Sequence, residues 1–182
     1  MVRKIIILFS LLLMTAACFA QVPTSGNVFF GYSYYRGGLG TAPTASLNGW
    51  EGSVEGKVFP HVGLVADVSG HYGHVFTSLV DVPSNLHSYM FGPRFSFSIG
   101  RVRPFAHALI GVGHVYQHST SPDWGTPQTY TATHIADAIG GGIDYRLIPR
   151  LAWRVQADDL QTRLRGGWQD EARISTGLVA RF

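Results

Sequence analysis

Cysteine is almost absent from this chain, since Cys18 is the only one among 182 residues. Two basic residues precede an apolar run at 5–14, and small residues follow it, which predicts a secretory signal peptide over residues 1–20. Cleavage after position 20 leaves one domain, 21–182, which has no thiol and therefore depends on packing and hydrogen bonds rather than disulfides. An alternative is a lipoprotein signal in which Cys18 is lipidated, although Thr15 stands where such signals usually have leucine.

Charge is also scarce, at 14% of residues. The formal charge of the whole chain is +3, and removal of the two basic residues of the leader lowers it to +1. The remaining chain has no run of Lys or Arg that could form a phosphate-binding stripe, so nucleic acid is not expected as a partner.

After the leader, no apolar stretch reaches the roughly 18 residues that a transmembrane helix requires. The chain is instead rich in residues that favour strands and turns, with 22 glycines and 13% aromatic residues. The mature domain is therefore expected either to leave the inner membrane entirely or to cross another membrane as β-strands.

Eight segments of about ten residues show period-two alternation and are separated by clusters of Gly, Pro, Ser and Asn. They lie at 28–36, 49–59, 62–73, 86–97, 105–118, 131–147, 151–160 and 172–182. Their lengths suit transmembrane β-strands, which need about 9 to 11 residues.

The connections between these segments alternate in length. Short turns are predicted near Pro60, Pro104 and Pro149, and longer polar loops at 37–48, 74–85, 119–130 and 163–170. Outer-membrane barrels have short periplasmic turns and longer extracellular loops. The spacing therefore predicts an all-β fold, an eight-stranded antiparallel up-and-down transmembrane barrel.

One face of several strands carries charges of both signs in mid-strand, and in a barrel of eight strands these faces would meet inside and fill the lumen. The predicted interior network comprises Glu51, Glu55, Asp144, Arg146, Arg154, Asp158, Arg173 and Arg181. Aromatic residues near the segment ends are predicted to form interfacial girdles. They are Tyr32, Tyr34, Tyr35, Trp50, Tyr72, Phe97, Tyr116, Tyr145, Trp153 and Phe182.

The last strand contains Ser175, Gly177, Ala180 and Phe182, with the spacing of the signal that directs barrels to the outer membrane. Ala180 is smaller than the residue usually found there. We expect the strand to be recognised during assembly through these four positions.

Together with the glycine-rich run at 138–145, the turn and strand at 149–154, and Arg103-Pro104-Phe105 leading into 111–113, the chain resembles the OmpA-like and OmpX-like family of small outer-membrane β-barrels. The resemblance covers 27–182. It implies an eight-stranded barrel in the bacterial outer membrane, escorted by periplasmic chaperones and inserted by the barrel-assembly machinery.

Enzymatic and metal chemistry are not expected. His71 and His74 should lie on opposite faces of a strand, and His114 and His118 about 13 Å apart, so neither pair chelates one ion unaided. His-x-Ser, which resemblance to an outer-membrane deacylase would call for, does not occur. We predict no catalytic residue, cofactor or metal.

The favoured function is structural or surface-interacting, with outer-membrane lipids as partners and a plugged lumen. Alternatives are a narrow pore, an outer-membrane lipid hydrolase, and a soluble secreted β-sandwich that binds carbohydrate with Trp124 and Trp168.

Overall fold

The computed structural model describes residues 25–39, 42–77, 80–120, 127–164 and 167–182. The predicted signal peptide lies outside them. The eight strands are β1 (Gly26–Leu39), β2 (Ala42–Phe59), β3 (Val62–Thr77), β4 (Val80–Ser96), β5 (Val102–Thr120), β6 (Pro127–Ile148), β7 (Leu151–Leu164) and β8 (Gly167–Arg181). Within the described ranges, no helix is long and apolar enough to cross a membrane.

Each strand pairs antiparallel with the next, and β8 returns to pair with β1, so the sheet closes into a barrel. Backbone hydrogen bonds between Gly26 and Phe182 complete this seam, with N···O distances of 2.9 and 3.1 Å. Closure leaves the sheet no open edge along the seam. The predicted eight-stranded antiparallel up-and-down barrel is confirmed.

The two ends of the barrel differ. At one end, here called the turn mouth, lie Gly26, Phe182 and the short connections after β2, β4 and β6. The other end, here called the hairpin mouth, contains the connections β1–β2, β3–β4, β5–β6 and β7–β8. Gly100 occupies the turn between β4 and β5 with φ of +62°, a left-handed conformation that glycine adopts readily.

The predicted long loops are wrong, because the ladders continue through most of 37–48, 74–85 and 163–170 and into both ends of 119–130. The β5–β6 ladder, for example, runs on to the pair of Thr120 with Pro127. Hydrogen bonds to the neighbouring strand satisfy the backbone N–H and C=O groups of these polar segments. This pairing outweighs the turn-like composition of the segments. Pro104 likewise lies within β5 rather than in the turn, near the start of the strand where its missing N–H is tolerated.

Alternation along each strand separates an interior face from an exterior face. Every outward-facing residue within 28–34, 50–58, 64–72 and 174–182 is uncharged. The interior holds most of the buried charge, including fully buried Arg94, Arg154 and Arg173. This is the reverse of the usual distribution in a soluble protein, where charged side chains are almost never fully buried unless paired.

Candidate functional site

The lumen of the barrel is the main concentration of chemistry in the described residues. Most of its buried polar side chains form two clusters at different heights. The central cluster consists of Glu51, Asp67, Ser69, His107, Gln156, Asp158, Arg173 and Ser175. The turn-side cluster, nearer the turn mouth, consists of Asn27, Glu55, Lys57, Arg94, Arg103, Asp144, Arg154 and Arg181.

Arg173 is the hub of the central cluster. Its Nε and Nη2 donate to Oδ2 of Asp158 at 2.9 and 2.7 Å, and its Nη1 donates to Oδ1 of Asp67 at 2.9 Å. Oε2 of Glu51 lies 3.5 Å from Nε. One guanidinium thus faces three carboxylates, and charge-assisted hydrogen bonds of this kind are among the strongest in proteins.

The carboxylates of this cluster have partners besides Arg173 as well. Oδ1 of Asp158 lies 2.7 Å from Nε2 of His107, and Glu51 accepts hydrogen bonds of 2.5 Å from both Gln156 and Ser175. Gly140, opposite Asp158 on β6, leaves the space that this carboxylate occupies, since a methyl group there would overlap Oδ1. The glycine-rich run at 140–142 therefore admits long polar side chains from the neighbouring strand.

In the turn-side cluster, Arg154 binds Asp144 through two hydrogen bonds of 2.6 and 3.1 Å. Glu55 accepts from Asn27 at 2.7 Å and lies 2.8 Å from Nζ of Lys57 and 3.4 Å from Nη1 of Arg94. The two carboxylates are thus shared among several cations, which compensates the cost of burying them.

Two of these arginines are also stacked on aromatic rings. The guanidinium carbon of Arg154 lies 5.0 Å from the centre of the Phe29 ring and 4.6 Å from that of Phe105. Arg94 lies 4.5 Å from the same Phe105 ring. Desolvated contacts between a cation and a ring stabilise the pair by about 2 kcal/mol.

Apolar side chains fill the lumen towards the hairpin mouth. On β2, β4, β5, β6 and β7 they lie nearer to that mouth than the inward-facing charged residues of the same strand, and Val65 on β3 is the exception. We call this group the apolar layer; its members are Tyr35, Ala45, Leu47, Val65, Leu86, Met90, Leu109, Val115, Ala138 and Leu160. The lumen is therefore occupied by an apolar layer stacked on two polar clusters, as expected where eight strands leave room only for side chains.

The structure brings seven of the eight predicted network residues into contact with one another or with further polar partners. They are Glu51, Glu55, Asp144, Arg154, Asp158, Arg173 and Arg181. The placement of Arg146 in this network is wrong. It has the interior parity of Asp144, but it lies at the end of β6, past the packed interior, where its side chain is exposed.

Sequence reasoning missed Asp67, Arg94 and His107, which are as central as the predicted residues. The immediate sequence neighbours of each residue are small or apolar, so it does not stand out as part of a charged face. Strand parity could have found Arg94, because Ser88, Met90 and Ser96 share its interior face.

The same alternation decides whether an aromatic side chain points into the barrel or out of it. Tyr35 was predicted in a girdle, but it is 1% exposed and lies in the apolar layer. Its neighbour Tyr34 points outward, and adjacent strand residues cannot share a face. Exposed aromatic rings do lie at both ends of the exterior, with Tyr32, Tyr72, Tyr89 and Tyr116 towards the hairpin mouth and Phe59, Phe97, Tyr145, Trp153 and Phe182 towards the turn mouth.

One arrangement resembles a nucleophile and its base. Oγ of Ser33 lies 2.8 Å from Nε2 of His71 and also 2.8 Å from Oγ of Ser175. All three side chains are buried in the lumen, so a substrate could reach them only if the barrel opened.

The histidines near the hairpin mouth bind neighbouring strands. His114 and His118 contact the hydroxyls of Thr133 and Thr129 at 2.8 and 3.3 Å. Across the described ranges, no group of three His, Cys, Asp or Glu side chains has the geometry of a metal site.

The four positions of the predicted C-terminal assembly signal lie on two different faces of the last strand. Ser175 and Gly177 point into the barrel, whereas Ala180 and Phe182 point outward. Ser175 is engaged with Glu51, and Gly177 lies so close to Gly31 of β1 that a methyl group would overlap its backbone. Both residues thus have structural reasons to be present.

Comparison with solved structures identifies barrels of the same fold. Ail, the attachment invasion locus protein of Yersinia pestis, superposes with a TM-score of 0.63 at 18% identity, over 87% of this chain and 98% of Ail. Neisserial surface protein A gives 0.66 at 13% identity, over 86% of this chain and 97% of that one. A major outer membrane protein of Thermus thermophilus gives 0.58 at 10% identity, over 87% and 100%. No protein-family model and no curated protein matches the sequence.

Proposed function

We propose that this chain is an integral protein of the bacterial outer membrane, with a structural or surface-interaction role and no enzymatic activity. The observation that carries the proposal is the inverted distribution of polarity in a closed barrel. Charge is buried inside, and a continuous uncharged face covers the outside. An uncharged exterior of this kind is suited to contact with the hydrocarbon of a bilayer rather than with water.

The height of the exterior face supports a fit to a bilayer. On β6 the outward residues from Leu147 to Ile139 are uncharged, and Asp137 follows them towards the hairpin mouth. Asp159 ends the corresponding stretch on β7. Eight residue intervals span about 26 Å along a strand, or about 20 Å along the axis at a tilt of about 40°. The apolar band of an outer-membrane barrel is about 25 Å tall.

The orientation follows from the two mouths. Short turns face the periplasm in proteins of this class, so the turn mouth lies there and the hairpin mouth faces the exterior. The extended hairpins, above all β5–β6, then project beyond the bilayer and form the surface available to an external partner. Membrane lipids surround the band, and periplasmic chaperones with the barrel-assembly machinery deliver the chain.

The packing of the lumen distinguishes this role from the alternatives. A pore requires a continuous water path, but the apolar layer and both polar clusters lie across the lumen. A lipid hydrolase requires an accessible nucleophile, but Ser33 is buried. A β-sandwich requires two separate sheets, and the structure has one closed sheet.

Conductance in planar bilayers tests the closed lumen. Protein whose gel mobility shifts on boiling, which identifies the folded barrel, is inserted at defined potential. We expect no steady channel current. A stable, reproducible conductance from this species would contradict the plugged lumen and favour the narrow pore.

A further inference from the structure

The turn mouth carries a surplus of positive charge. In the turn-side cluster, five cationic side chains share only two carboxylates, Glu55 and Asp144. The turns at the same mouth add three exposed arginines, Arg101, Arg146 and Arg150. The central cluster has the opposite balance, with three carboxylates around Arg173. The lumen is therefore electrically polarised, and its positive end opens towards the periplasm.

This positive end contains a cavity of about 480 Å³. Lys57, Arg103 and Arg181 are among the residues that line it. Their side chains are mostly buried, with exposures of 13, 14 and 21%, yet they border open space rather than a packed core. Lys57 and Arg103 both donate to Oγ of Ser96, at 2.6 and 2.7 Å, which fixes two of the three cations side by side.

Hydrogen-bonding capacity at this end remains unused. Among the described residues, Nε of Arg181, Nε of Arg94 and Nη1 of Arg154 are buried without a hydrogen-bond partner. Buried donors on charged groups are costly to leave unpaired. Five cations face only two carboxylates, so the cluster has a net positive charge that a further anion would balance.

Part of the cavity wall is apolar. This apolar wall consists of Val58, Phe59 and Phe182, which are 53, 65 and 61% exposed. The cavity thus joins cationic groups inside the mouth to the apolar band outside. We propose that it is a binding site for a phosphate group, and that the group belongs to an anionic phospholipid of the inner leaflet. The headgroup binds Lys57, Arg103 and Arg181, and the acyl chains lie along the apolar wall.

The site goes beyond the proposed function, which requires no bound lipid. Basic residues at a membrane surface attract anionic headgroups, and Arg matches phosphate geometry closely. A free phosphate would use the same cations but not the apolar wall. The two sources are therefore distinguishable by experiment.

Native mass spectrometry of the detergent-purified barrel measures this binding directly. Phosphatidylglycerol, phosphatidylcholine and inorganic phosphate are each titrated into wild type and variants. We expect phosphatidylglycerol to bind at least tenfold more tightly than phosphatidylcholine. Inorganic phosphate that binds as tightly as phosphatidylglycerol would overturn the lipid as the source.

Three variants locate the site. In K57Q/R103Q the affinity for phosphatidylglycerol should fall at least tenfold, and R181Q, which leaves the contacts of Glu55 intact, should show a smaller loss. R101Q removes the same charge from an exposed turn and should bind like wild type. The boiling-induced mobility shift confirms that each variant is folded.

Equal binding of phosphatidylglycerol to K57Q/R103Q and wild type would overturn the proposal, as would loss of selectivity over phosphatidylcholine. A wild-type barrel that shifts on boiling but binds neither lipid overturns the site alone and leaves the proposed function standing. A chain that stays soluble and shows no shift contradicts the proposed function instead.

Discussion

The guanidinium group of Arg173 on β8 lies 2.9 Å from the carboxylate of Asp67 on β3, across the lumen and 106 residues away in sequence. The same group binds Asp158 on β7 and approaches Glu51 on β2. Four strands of the closed sheet are thereby connected through one buried side chain. The central cluster is a structural element that ties the walls of the barrel together.

Removal of this cation should destabilise the barrel strongly. In R173M, three carboxylates remain buried without their shared counter-charge, and breaking a buried ion pair in this way costs about 3–5 kcal/mol. The free energy of unfolding is measured by urea titration in lipid vesicles, with the boiling-sensitive gel band as the readout of folded protein.

R150Q is the matched control, because Arg150 lies exposed in the β6–β7 turn, and we expect its stability to equal that of wild type. Equal stability of R173M and wild type would show that the central cluster does not support the fold.

The Arg154 and Asp144 pair should behave as a coupled unit. R154M and D144N each leave a charged partner in the lumen, whereas the double variant removes both charges. We expect the double variant to be more stable than the sum of the two single effects predicts, with a coupling of about 0.5–3 kcal/mol. A double-mutant cycle in the same unfolding assay measures this value. Strict additivity would mean that the hydrogen bonds between the two side chains contribute nothing.

The exterior face should be sensitive to charge at mid-height. Ile143 is 51% exposed and lies near the middle of the uncharged stretch of β6. I143R should therefore lower the stability of the barrel in bilayers by about 2–4 kcal/mol, the cost of arginine at the bilayer midplane.

Thr131 faces outward on the same strand beyond Asp137, so T131R should cost at most about 1 kcal/mol. If the two substitutions have the same small effect, the exterior face contacts water and the membrane assignment fails.

The predicted assembly signal can be separated from stability. The side chain of Phe182 is 61% exposed, while the hydrogen bonds of its backbone to Gly26 do not depend on the ring. F182A should therefore reduce the amount of folded protein in cells several-fold, yet refold from urea into detergent like wild type. F59A, which removes another exposed ring near the turn mouth, serves as the comparison. Similar cellular levels for F182A and F59A would contradict a special role of the terminal residue.

Strand number, pairing order and interior parity could be predicted from the sequence, because period-two alternation directly encodes the two faces of a strand. Parity correctly predicts interior positions for Glu51 and Glu55 for this reason. It fails for Arg146, because parity gives the face of a residue but not its height in the barrel.

The apolar layer and the contribution of Asp67 could not be predicted either. Both depend on which strands face each other across the lumen, and that relation is set by the stagger of the closed sheet rather than by any local pattern.

Whether the chain spans the outer membrane as a closed barrel is measured by fractionation of cells that express the full chain. Unboiled and boiled samples of each fraction are then compared on a detergent gel. We expect a band in the outer-membrane fraction whose mobility changes on boiling. Protein that is found in the soluble periplasmic fraction, with the same mobility before and after boiling, would contradict it.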